Sequence, residues 1–244
     1  MLTACQTTQP SLQYDKTALA QIRTQMAGQY ILLGNLDEAK RQLDMAMAAD
    51  AHFAPSYDMM AVLLQTEGSA NNLAQADEFF RKAIHLDRDF MRAYNNYGVY
   101  LSQVGRAGDA VGYFEVAGNH LGYEGRVQAL ENLGFTWRRL GNVKRANDAF
   151  YRAIDGGSVN LAVYEIILSQ LISQNDVNRA NAIFERLSLH VLMDSLSDKL
   201  LVMGIHLAGR AGDDAKAKQL TQILQEKYPN SDKMTITDVL KKST

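Results

Sequence analysis

Apolar residues recur along this chain at spacings of three and four, the period that puts one buried stripe on a helix. Met26, Ala27 and Tyr30 begin the series, and Met60, Ala61 and Leu64 repeat it. Tyr97, Gly98 and Leu101, then Leu133, Gly134 and Trp137, Ile167, Leu168 and Leu171, and Met203, Gly204 and Leu207 continue it. The middle residue of each triplet is small except at Leu168, and successive triplets stand 34 to 37 residues apart. A second stripe follows each first one. It carries an alanine at Ala39, Ala76, Ala110, Ala146, Ala180 and Ala217, and four residues later Leu43, Phe80, Phe114, Phe150, Phe184 and Thr221. Between the two stripes stand turn-forming pairs, Gly34-Asn35, Gly68-Ser69, Gly105-Arg106, Gly141-Asn142, Asn175-Asp176 and Gly212-Asp213. The pattern predicts six helix hairpins, in which a small side chain lets two helices approach and a bulky one fills the space beside it.

The period is sharpest where Val143-Lys144-Arg145-Ala146-Asn147 returns as Val177-Asn178-Arg179-Ala180-Asn181, 34 positions later. On these residues the chain resembles the tetratricopeptide-repeat family. That resemblance implies an all-α class and a TPR α-solenoid, a right-handed superhelix of stacked hairpins. Residues 1–14 read as a polar tether, and residues 15–230 as six repeats at about 17–52, 53–89, 90–122, 123–157, 158–193 and 194–230. Residues 231–244 form a cap or tail, in which Thr235–Lys242 is expected to make a short helix over the open face of the last repeat. The proline that often closes such repeats occurs only as Pro229. Extra residues near Asn71-Asn72 and after Ala117 and Leu187 are expected in surface loops.

Composition narrows the function. The chain has 244 residues, 47% of them apolar, with three prolines, a net charge of −2 and a pI near 6.2. Such a charge provides no basic field for a phosphate backbone, so nucleic acid is not an expected partner. No run of 18 apolar residues is present to span a bilayer as a helix. Phosphate-loop, nucleophile-elbow and paired-histidine metal motifs are absent from the sequence. The five histidines are scattered and one sulfur accompanies them, which gives no converging ligand set. No metal, cofactor, small-molecule substrate or enzymatic activity is expected. Glu131 and Arg138, seven residues apart on one helix, come nearest to a polar cluster.

The family's geometry implies that the first helix of each repeat lines an inner wall that binds a peptide. Counting three before, one after and four after the small position selects Thr24 and Ile31; Asp58, Val62 and Gln65; Asn95, Val99 and Ser102; Glu131, Phe135 and Arg138; and Glu165, Ser169 and Ile172. Aliphatic, aromatic, amide and charged groups mix on that surface, as suits a protein segment.

Leu2-Thr3-Ala4-Cys5 resembles a bacterial lipobox, and Cys5 is the single cysteine. The resemblance implies a lipid on Cys5, a signal segment upstream, and Gln6 to Ser11 as a linker to the folded body. Asn95-Asn96-Tyr97-Gly98, Glu131-Asn132-Leu133-Gly134, Gly204-Ile205-His206-Leu207-Ala208 and the Tyr228-Pro229 ending are similar to segments of the PilF/PilW family of type IV pilus biogenesis lipoproteins. That likeness implies a pilotin, lipid-anchored at the periplasmic face of the outer membrane, whose partner is a segment of the pilus secretin. Two other readings share the repeat pattern, an outer-membrane repeat lipoprotein that scaffolds envelope assembly and a soluble repeat adaptor. If Cys5 carries the lipid, Cys5→Ala in the full-length precursor releases the protein from the membrane fraction; unchanged recovery there rules the anchor out.

Overall fold

In a computed structural model the structure describes residues 15–231 and 235–241. Cys5 and the expected tether lie outside the described residues. Thirteen α-helices and no strand occur among them. Two compact units divide the chain, Met1–Gly125 and Arg126–Thr244. The first unit holds α1 (Lys16–Leu32), α2 (Leu36–Ala49), α3 (Ala54–Glu67), α4 (Ala70–Leu86), α5 (Met91–Gln103) and α6 (Ala107–Asn119). The second holds α7 (Arg126–Arg139), α8 (Val143–Asp155), α9 (Leu161–Ser173), α10 (Val177–Ser188), α11 (Asp198–Ala211), α12 (Asp214–Lys227) and α13 (Ile236–Lys241). Within each unit consecutive helices pair as three hairpins, and the first helices of successive hairpins pack side by side, α1 on α3 and α3 on α5, and α9 on α11. This is the all-α repeat architecture that the spacing predicts.

The hairpin turns use one local device. A residue with positive φ ends the first helix, and the next caps the second. Five turns use glycine, whereas the turn at Asn175 places an asparagine at φ 56°, a conformation that asparagine tolerates better than most side chains. Asn35, Ser69, Asn142, Asp176 and Asp213 then each accept a hydrogen bond from the backbone N–H three residues on. Ser69 also explains one departure from expectation. The extra residues near Asn71-Asn72 are absorbed into the first turn of α4, which starts at Ala70 directly after the Ser69 cap, and they make no loop. The other two insertions do lie in links, one at the end of α6 and the other around a 3-10 turn at Met193–Ser195.

Small and bulky residues meet as the pattern requires. Gly98 faces the ring of Phe114 so closely that an added Cβ would lie 2.7 Å from it, and Gly134 faces Phe150 more closely still. Each phenylalanine is fully or almost fully buried, and a buried ring of this kind contributes about 1.5–3 kcal/mol. The two breaks in the pattern compensate each other. Leu168 fills the small slot of its own hairpin, and the Phe184 ring lies instead against Gly204 of the next hairpin, together with Leu220. The sixth hairpin thereby receives the ring that Thr221 does not provide.

Polar side chains pin neighbouring hairpins beneath the surface. Thr24 Oγ1 on α1 lies 2.8 Å from Ser56 Oγ on α3. Asn96 on α5 donates to both carboxylate oxygens of Asp58 on α3, at 3.0 and 3.2 Å. Glu131 on α7 accepts from Ser158 at 2.6 Å and from Asn160, the cap of α9, at 2.9 Å. Glu165 on α9 accepts from Ser197, the cap of α11, at 2.6 Å. In the first unit Asp77 on α4 also accepts from Tyr97 on α5 at 2.8 Å, and it pairs with Arg81 and Arg106. Burial opposes the Asp77 charge, but these hydrogen bonds hold its carboxyl below the usual range. Asp58 lacks that support. Burial pushes its carboxyl up to about 7 from an ordinary 3.8, against the pull of Asn96 and Arg92.

Two outcomes follow from these contacts. Gly134→Ala drives a methyl into the Phe150 ring and lowers stability by about 1–3 kcal/mol. Gly108→Ala, on α6 with open space around it, raises stability by roughly 0.5–1 kcal/mol. Equal shifts of the two melting curves would contradict the close packing. For Asp58 the folded state binds its proton more tightly than the unfolded chain does. The stability it contributes is therefore complete below pH 4 and is lost as pH rises through 7. Asp58→Asn, which mimics the protonated group, is expected to remove roughly 2 kcal/mol of the fall in urea-unfolding free energy between pH 5 and 8. An unchanged slope in that variant would show that Asp58 does not titrate in this window.

Candidate protein-binding surfaces

A helix of about 3.6 residues per turn that buries positions before, at and three after the small residue turns three outward positions directly away from its core. Those are two before, one after and five after the small residue. In the first unit they carry Asn96, Val99 and Gln103 on α5 and Val62 and Thr66 on α3. Together with Gln65 these side chains line a cavity of about 260 Å³ between the two first helices. Gln65 donates to Gln103 across it. The lining combines two aliphatic side chains, Val62 and Val99, with amides and a hydroxyl.

The residues expected on this surface divide into two groups. Val62, Gln65 and Val99 line the first unit's cavity, Arg138 and Ser169 line another in the second unit, and Ile31 and Ser102 are half-buried. Phe135 is about one-third exposed and makes a T-shaped contact with Phe150, with ring centroids 5.1 Å apart. Thr24, Asp58, Asn95 and Glu131 are buried and do not face outward, which corrects their expected placement on the wall. The reason is angular. The position three before the small residue lies on the flank of the first helix, where the next hairpin packs, and three of these four form the polar pins described above. Glu165 is a pin as well, and Ile172 is buried in the core of the second unit. Glu131 is accordingly committed to Ser158 and Asn160 while Arg138 is exposed, so the pair makes no joint polar site.

Asn96, Thr66 and Gln103 escaped the sequence count because, of the three outward positions, it sampled only the one directly after the small residue. The signal that finds them is the stripe opposite the apolar triplet, spaced three and four as in Asn96, Val99 and Gln103. Trp137, expected in a buried slot, is only partly buried, and the Arg145 guanidinium lies 4.6 Å from its ring centre.

The second unit has a cavity of about 490 Å³ bordered by α7, α8, α9 and α13. Here α13 is a short helix within Thr235–Lys242. It packs against α11 and α9, with Val239 fully buried and Ile236 and Leu240 joining the unit's core, so that it lies on first helices. Leu240 forms part of the cavity wall. Among the described residues no group of three His, Cys, Asp or Glu is placed to hold a metal ion, and no helix is long and apolar enough to cross a membrane.

Known proteins share this organisation. A tetratricopeptide-repeat sequence profile matches residues 206–231. The type IV pilus assembly protein PilF of Pseudomonas aeruginosa is 26% identical over 202 residues, 83% of this chain and 78% of that protein. The solved structure of Pseudomonas aeruginosa PilF superposes with a TM-score of 0.69 at 24% identity, over 88% of this chain and 95% of that one. PilW, described as a widely conserved type IV pilus biogenesis factor, superposes with a TM-score of 0.59 at 21% identity, over 87% of this chain and 95% of that one. At those identities the superpositions establish a shared fold, and the alignment with PilF adds kinship in sequence. With the repeat spacing, the profile match and these likenesses in place, the chain has a tetratricopeptide-repeat fold and is similar in sequence and fold to PilF and in fold to PilW.

Proposed function

We propose that this chain is a non-catalytic, protein-binding component of type IV pilus biogenesis that acts as a pilotin. In this reading a lipid on Cys5 holds it at the periplasmic face of the outer membrane. The outward stripes of its first helices take up a segment of the pilus secretin, and the captured subunits are delivered to the membrane, where they form their ring. The observation that carries the reading is the alignment with PilF along most of both chains. The surface chemistry agrees with it. Val62 and Val99, set among Gln65, Asn96 and Gln103, offer an apolar contact for a side chain and amides for a peptide backbone.

Anchoring turns the encounter between secretin and membrane into an intramolecular one and raises the local concentration of subunits there. No bond is made or broken in such a role, so the demands on the protein are a rigid surface and a fixed address. Deletion of the gene is expected to leave secretin as monomers in place of heat-resistant multimers and to abolish twitching. Normal multimers in the deletion strain would refute the pilotin role.

A further inference from the structure

The cavity bordered by α7, α8, α9 and α13 specifies an occupant in more detail, an inference that rests on the protein-binding reading above. Ser169 on α9 is 6% exposed, lines this cavity, and its Oγ has no hydrogen-bond partner among the described residues. Asn147 on α8 lines it too. Its Nδ2 donates to Gln170 Oε1 at 2.6 Å, while its buried Oδ1 has no partner among the described residues. Buried polar atoms are ordinarily paired, so these two define what an occupant supplies. Asn147 Oδ1 calls for an N–H donor, and the Ser169 hydroxyl for a carbonyl acceptor or a second donor. A peptide backbone offers both within one residue.

Two further features fix the side chains. Val143, Ile166 and Leu240 give the cavity an apolar wall that accepts an aliphatic group. At its border Arg138 presents an exposed guanidinium that makes no ion pair among the described residues, and a guanidinium recognises a carboxylate through paired hydrogen bonds. We propose that this cavity binds an extended segment of a partner protein in which an aliphatic residue stands next to an acidic one. The peptide backbone pairs with Ser169 and Asn147, the aliphatic side chain lies against Val143, Ile166 and Leu240, and the carboxylate meets Arg138.

The test uses the isotope-labelled full chain and three blocked tetrapeptides, acetyl-Gly-Leu-Asp-Gly-amide and its Leu-Asn and Leu-Lys counterparts, followed by amide chemical shifts. The Leu-Asp peptide is expected to shift amides of α8 and α9 saturably at millimolar concentration and to bind about tenfold more tightly than the Leu-Asn peptide. Arg138→Glu, a change at an exposed position, is expected to reverse the order in favour of Leu-Lys. Equal affinity for the three peptides, an unaltered order in Arg138→Glu, or shifts elsewhere in the chain would overturn the proposal. So would the same α8–α9 shifts produced by raising the protein concentration without peptide, which would assign the cavity to a second copy of the chain. Failure here is separable from failure of the pilotin reading, because peptide binding is read on the purified protein and secretin multimers are read in the deletion strain.

Discussion

The contact on which the hairpins depend is the seating of a phenylalanine ring on a helix that has no side chain at the point of contact. Gly98 beneath Phe114 and Gly134 beneath Phe150 let two helices close to a distance that any Cβ would forbid. Ring burial then stabilises the closed pair. In these two hairpins the contact joins residues of the same repeat and needs no distant part of the chain. Its third instance is displaced, since the Phe184 ring crosses to Gly204 of the following hairpin. The displacement turns a contact within a repeat into one between repeats.

Packing alone does not set the angle between hairpins, and the buried polar pairs add direction. A carboxylate three residues before the small position reaches the start of the next first helix, as Glu131 reaches Ser158 and Asn160 and Glu165 reaches Ser197. Hydrogen bonds of this kind are satisfied at one register only, and a slip by one residue leaves a buried carboxylate without partners. Asp58 stands apart because burial dominates at its site and, among the described residues, one amide is its whole side-chain hydrogen-bonding support, so its carboxyl holds its proton to about 7.

Much of this was legible in the sequence because steric periodicity is local. The triplets around Ala61, Gly98 and Gly134, the alanines and phenylalanines that follow, and the Gly-Asn and Asn-Asp turns are read residue by residue without knowledge of the fold. The surface was legible only in part. Val62 and Val99 fall on it by simple counting, whereas Asp58, Asn95 and Glu131 look equally polar and equally placed until the flank of the helix meets a neighbour. Polarity alone does not separate a solvated carboxylate from one committed to a buried pin, since both are hydrophilic letters at helical spacing. The same applies to Asn71-Asn72, where a turn-like pair becomes helix because Ser69 caps it, and to α13, whose placement on α9 and α11 depends on contacts far away in sequence.

These elements combine into a protein that presents stripes of side chains on its first helices, with the bulky residues that build the hairpins kept on the opposite side. In the proposed role the stripe containing Val99, and not an exposed face of a second helix, meets the secretin. A photo-crosslinking amino acid placed in living cells at Val99, and separately at Glu78 on the exposed side of α4, tests it most directly. The account predicts a secretin adduct from position 99 and none from position 78. Adducts of equal yield from both positions, or an adduct from position 78 alone, would contradict it.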